Sequence, residues 1–304
     1  MMKALRESDW VLLVVPGLIW GASFLFIAEG LEALGPNGVT FVRILVGFAT
    51  LSLFPAVRQP VVREDRARIA WLGLLWFALP LSLFPFAEQR VTSALTGMLN
   101  GAVPIFTALA AWLLTRRPPT RGVALGLIVG LLGAVLVALP SAGEGGSSAS
   151  GVAMVLLALT FYGFALNIAR PLQQRNGALP VLWRAQGVAL IATAPLGIPE
   201  LLHAHWSLGP VLSLLALGSL GTALAFVLAA VAAGRLGATR ASATAYFIPV
   251  VALLLGVVVR GEHVAALSVV GSAVLLVGAW LMRRAQEVRV ERPPATEALS
   301  GRAA

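Results

Sequence analysis

The sequence predicts an all-α integral membrane protein whose ten transmembrane helices form two inverted five-helix repeats. Three observations predict it. Apolar runs are long enough to span a bilayer, landmarks recur at a fixed shift, and basic residues gather in alternate connections. At 59% hydrophobic and 12% charged residues, with a mean hydropathy of +0.90, the 304-residue chain is too apolar for a soluble domain of that length.

Runs near 20 residues match a hydrocarbon core of roughly 30 Å. They fall at 10–29, 38–57, 69–88, 93–115, 122–139, 151–170, 182–201, 208–233, 241–260 and 264–282. The first is too long for a signal-peptide core and no cleavage pattern follows it, so it is read as a span. The second half repeats the first at a shift of about 145 residues. Arg90 recurs as Arg235, Pro104 as Pro249, Gly126 as Gly271, Gly133 as Gly278 and Ala134 as Ala279, while Gly21 matches Gly163 and Arg43 matches Arg184. A unit with an odd number of crossings must sit upside down relative to its duplicate, the architecture of secondary transporters. The copies cover 1–139 and 151–282. Between them PSAGEGGSSAS, residues 140–150, reads as a flexible linker on the outer face. After Met282 the chain turns charged and Pro-containing, so 283–304 reads as a disordered cytoplasmic tail.

The net charge of +9 is a topology signal. Of the 22 basic residues, all but Arg43, Arg90, Arg184 and Arg260 fall in segments on one side when the N-terminus starts inside. That is the positive-inside pattern, with both termini cytoplasmic in a plasma (inner) membrane. Nucleic acid is not an expected partner, because basic patches interleaved with aromatics are absent. Trp10, Trp71, Trp183, Trp206 and Trp280 lie near span ends as interfacial anchors. With no cysteine, disulfides and thiolate chemistry are excluded, and no cofactor or metal is called for.

Pro16, Pro80, Pro85, Pro104, Pro195 and Pro249 sit inside spans, where each removes a backbone donor. Packing irregularity accounts for most of them. The duplicated pair Pro104 and Pro249 instead marks a helix break at equivalent places in both halves. Gly122, Gly126 and Gly130 form a smooth stripe for close helix approach, within the chain or as the seam of a homodimer.

The fourth span places Thr96, Asn100, Val103 and Thr107 on one helical face. Polar groups at that depth must look inward. The repeat superimposes Trp20 on Tyr162, with Ser23, Thr160 and Asn167 nearby; Thr222 aligns with Ser219 and Phe226, and Tyr246 with Ser242 and Pro249. Trp20, Thr96, Asn100, Thr107, Tyr162, Asn167, Thr222 and Tyr246 are therefore the candidate lining of a sparsely polar, aromatic cavity, with interhelical hydrogen bonding as the alternative for each. Arg43 and Arg184, the basic side chains within spans, read as structural charges that snorkel toward opposite surfaces, with anion binding as the alternative. Glu29 and Glu88 read as solvated helix-end carboxylates, so no coupling residue is evident.

Taken together these residues resemble the drug/metabolite transporter superfamily, and within it the EamA-type ten-span carriers. The resemblance runs from Trp10 to Met282. It rests on Trp20–Gly21, the Pro36…Arg43 spacing, VTSALTGMLNGAVPIFTAL, LGSLGTALAF and GRLGATRASATAYFIPVVALLLGVVVRGEHV. It implies alternating access of a central cavity lined by the fourth and ninth spans, with small organic solutes as cargo. The expected activity is export of amino acids or related metabolites; a multidrug or lipid-linked-sugar carrier is the runner-up, and a non-transporting receptor a further rival. Arg117 stands where the second half has Glu262, so a role implied for that glutamate holds for one half only. Enzyme motifs are absent; His203, His205 and His263 are all expected at the outer surface, and His203 and His205, two apart, do not share a helix face.

Overall fold

The computed structural model describes residues 7–142, 146–237 and 241–291. All regular structure among them is helical. The helices are α1 (Glu7–Gly30), α2 (Pro36–Ser52), α3 (Arg63–Glu88), α4 (Ser93–Asn100), α5 (Val103–Thr115), α6 (Arg121–Ala142), α7 (Gly146–Asn176), α8 (Ala178–Leu201), α9 (Leu208–Leu236), α10 (Ser242–Arg260) and α11 (Ala266–Glu291). Among the described residues eight helices are long and apolar enough to cross a membrane, and the α4–α5 pair counts as a ninth. The expected ten is reached only if α2, at 17 residues, also crosses.

Local sequence sets the ends. Pro36 opens α2 directly after an extended Gly35, where a missing N–H costs nothing. The Thr92 hydroxyl accepts from the N–H of Leu95 and caps α4. Gly261 closes α10 at φ +65°, a conformation that a Cβ would strain. Two helices widen internally. α3 is π-helical over Leu74–Ala78, and α9 over Leu217–Leu224.

Three expectations need correction. The break expected at Pro104 in the fourth span lies slightly earlier, between Asn100 and Val103, where the chain bends by 45°. The linker expected over 140–150 is narrower, because α6 runs to Ala142 and α7 starts at Gly146. Residues 143–145 lie outside the described residues. The tail expected from 283 is helical as far as Glu291, where α11 continues the apolar run into its charged end, and 292–304 lie outside the described residues.

Both the interior and the outer wall are apolar. Phe77, Phe84, Ile44, Met98 and Leu99 fill the interior, while Leu125, Ile128, Ile191, Leu196 and Val258 stand exposed on the outer wall. α6 packs most extensively on α11. Here the glycine stripe is used within the chain. A Cβ on Gly133 would lie 2.3 Å from the Leu275 nitrogen, and one on Gly278 2.3 Å from the Gly130 nitrogen, so the two backbones touch. That contact removes the sequence argument for a dimer seam on this face. α1 lies against α10, α2 against α8 and the π-helical part of α9, and α3 and α5 against α7, so helices of the two copies interleave around the centre.

Candidate functional site

A cavity of about 160 Å³ lies at that centre. Its wall takes Trp20, Ser23 and Phe24 from α1, Arg43 from α2, Trp76 and Phe84 from α3, Asn100 from α4, Tyr162 from α7, and Phe226 from α9. The aromatic rings form two clusters, one around Phe226 and one around Phe84. The Phe226 ring meets Trp20 and Trp76 edge-on, each at 5.3 Å between centroids, and Phe84 lies 5.8 Å from Tyr162.

The π-helical stretch of α9 organises the polar part. Its wider turns bond five residues back and leave backbone acceptors open. The Trp20 indole N–H donates to the Gly221 carbonyl at 3.0 Å, and the Gln186 amide of α8 donates to the Thr222 carbonyl at 2.6 Å. The Thr222 hydroxyl donates to Leu217 O and accepts from Arg43 Nε at 2.9 Å. α1, α2 and α8 are thus pinned to one widened turn. Gly47 makes room for it, since a Cβ there would sit 2.8 Å from the Thr222 methyl.

The residues singled out in the sequence separate into groups. Trp20, Asn100 and Tyr162 line the cavity, and Thr222 stands behind Arg43. Thr96 is fully buried and donates to the Thr92 carbonyl, while Thr107, beyond the break at Gly101–Ala102, donates to Val103; neither threonine lines the cavity. Asn167 donates to the carbonyls of Thr107 and Gly163 and borders a separate cavity with Asp65 and Trp71. Tyr246 lies under the Arg283 guanidinium, 5.6 Å from its ring centroid, and its neighbours Ala245 and Ile248 line the cavity instead. Pro104 and Pro249 each follow an interruption. Pro104 is the second residue of α5, and Pro249 comes just after the 3-10 turn Ser242–Tyr246.

Arg184 reaches the carbonyls of Val57, Pro180 and Gln59 at its helix end, as a snorkelling side chain should. Arg43 does not snorkel. It is 5% exposed and turns into the cavity, because α9 supplies a hydroxyl for its Nε at membrane depth. Trp76, Phe84 and Gln186 went unnoticed in the sequence. The first two look like ordinary apolar residues there, and Gln186 lacks a partner in the repeat that would flag it.

The end of the molecule that carries Glu29 and Arg260 holds a second set of charges. Glu262 accepts from Ser93 N, Ser93 Oγ and Ala94 N at 2.8–3.0 Å, so a carboxylate from one half caps α4 of the other. Glu200 does the same for α2, accepting from the Asn37 side chain and from Gly38 N. Arg260 pairs with Glu29 and Glu32. Glu88 is no solvated carboxylate: both oxygens are buried and without a hydrogen-bond partner among the described residues.

The model of the EamA-like transporter family matches twice, over residues 10–139 and 149–284. The chain belongs to the EamA-like transporter family, whose members are transporters and not enzymes. It is 28% identical over 266 residues to the uncharacterized transporter YdfC of Bacillus subtilis, covering 86% of each chain. It is also 28% identical over 286 residues to a probable terminal-alkyne amino-acid exporter of Streptantibioticus cattleyicolor, covering 92% of this chain and 94% of that one. A crystal structure of 18% identity shares the fold at a TM-score of 0.61, over 91% of this chain and 96% of its own.

Proposed function

We propose that this transporter exports small organic metabolites, amino acids or related compounds, by alternating access through the central cavity. The observation that carries the reading is the cavity itself, which is enclosed by helices of both copies and mixes a guanidinium and an amide with aromatic walls. Such convergent polar groups in an apolar pocket are the usual form of a small-molecule site. The likeness to an amino-acid exporter supports the solute class. At about 160 Å³ the cavity is smaller than the ~300–1,000 Å³ of drug-sized sites, which favours a metabolite over a multidrug cargo.

The architecture in this proposal is ten spans in two inverted halves, 1–139 and 151–282, meeting near 143–145, with both termini cytoplasmic in the plasma membrane. α2 counts as a span because 17 residues lies at the short end of about 17–25 for a crossing helix. Two features support the inversion: the doubled family match, and π-helical widening in α3 and α9 at nearly the repeat spacing. Basic residues in alternate connections support the orientation.

Metabolite profiling of cells with the gene deleted and overexpressed, followed by flux of the affected compounds in proteoliposomes, tests the function. Export predicts compounds that rise in the medium with overexpression and cross reconstituted vesicles. An unchanged profile and no flux, while a ligand still binds, would make the protein a receptor.

A further inference from the structure

Arg43 lines the central cavity with its charge only partly satisfied. Nε donates to Thr222, but the two terminal nitrogens make no hydrogen bond to any described residue, and no carboxylate lies within 4.0 Å among the described residues. A guanidinium stays charged, and a buried charge without a counterion is costly against an apolar surround. Glu88 is near enough for its charge to act on Arg43, but it lies beyond ion-pair distance and makes no hydrogen bond among the described residues. It borders a different pocket with Arg90 and His263, so it leaves the guanidinium edge open. What remains open is the end-on edge of the guanidinium, two parallel N–H groups whose geometry matches a carboxylate.

The surroundings hold that edge in place and limit what can approach it. Thr222 is itself fixed by its bond to Leu217 O, and Gln186 holds the Thr222 carbonyl. Asn100, 7% exposed, puts its side-chain amide on the cavity wall, a polar group for an ammonium or amide of the solute. Trp20, Trp76, Phe84 and Phe226 supply the apolar wall.

From this arrangement we infer that Arg43 is the anion anchor of the transport site. The solute's carboxylate docks on the free guanidinium edge, its amino group meets the Asn100 amide, and its apolar body lies against the rings. The substrate class is a small carboxylate with an apolar or aromatic body, α-amino acids included. The assignment rests on the transporter reading, and it makes the carboxylate the obligatory group.

Trp20 and Trp76 line the cavity, so tryptophan fluorescence of the full chain in nanodiscs reports occupancy. The probes are L-phenylalanine and 3-phenylpropanoate against L-phenylalaninamide and phenethylamine. Arg43 as anchor predicts that the two acids bind at least about tenfold tighter than the amide and the amine. Arg43→Gln abolishes that preference and Arg43→Lys keeps part of it; if Arg43→Gln does not fold, the wild-type comparison together with Arg43→Lys decides. Equal binding of acid and amide, a preference that survives Arg43→Gln, or no response to any of the four overturns the inference. Flux of the same probes separates this from the transport reading. Acid preference without flux sinks transport and leaves the anchor, whereas flux without acid preference does the reverse.

Discussion

The Nε of Arg43 donates to the hydroxyl of Thr222 at 2.9 Å, joining α2 to the π-helical turn of α9 across 179 positions of sequence. This one hydroxyl orients a buried charge from the first half with an element of the second. Thr222→Val keeps the shape and removes the acceptor. It should destabilise by about 1.5–3 kcal/mol, the range for a hydrogen bond to a charged group. Thr222→Ser should restore most of the loss, and thermal unfolding in detergent compares the two. Equal stability of the valine variant and wild type would mean that the bond contributes nothing.

Cavity position separates residues that looked alike in the sequence. Asn100 lines the cavity, whereas Tyr246 lies beneath Arg283. Asn100→Ala should weaken apparent affinity in a flux assay by about tenfold or more. Tyr246→Ala should leave affinity within about twofold, since it removes no cavity hydrogen bond. The opposite ranking would place the solute elsewhere.

The Glu262 carboxylate takes three donors at the start of α4, with its side chain only 11% exposed. Glu262→Gln retains one carbonyl oxygen and loses the charge that favours a helix N-terminus. A loss of about 1–3 kcal/mol is expected, read as a lower unfolding temperature. Arg117→Glu, at the position matching Glu262 in the first half, changes an exposed residue and should leave that temperature within about 2 °C.

Backbone contact between α6 and α11 leaves no room for side chains. Gly133→Leu would drive a side chain into Leu275, and Gly278→Leu into Gly130. Both should cost more than the about 1–3 kcal/mol typical of overpacking and lower the yield of monodisperse protein on size exclusion. Gly209 has nothing within 4 Å of a built Cβ, so Gly209→Ala should behave as wild type.

How far the sequence could be read depends on which physical property carries each feature. Helix positions follow from the length and polarity of apolar runs, which is why Asp9–Gly30 and Leu208–Leu236 fall where the runs do. Charge placement needs only counting. The π-helical turns at Leu74–Ala78 and Leu217–Leu224 have no composition mark, since LLWFA and LGSLGTAL share no feature that separates π from α turns. Without them, depth along a straight helix is the only guide, and depth alone puts Arg43 near a surface and Thr96 and Thr107 beside Asn100. The break at Gly101–Ala102 turns Thr107 out of line with Asn100, Thr96 is buried in the packing of α4, and the widened turn draws Arg43 inward. Trp20, Asn100 and Tyr162 were legible because polar or amphipathic groups inside apolar runs must face other helices or water.

Because the natural chain has no cysteine, a single Ala245→Cys variant reports on the cavity wall without background. Rates of modification by a membrane-impermeant thiol reagent, applied from each side of oriented vesicles, test directly whether the cavity opens alternately. The account predicts modification from both sides, protection by transported solute, and loss of flux once the thiol is blocked. Modification from one side only, or undiminished flux after complete labelling, would contradict it.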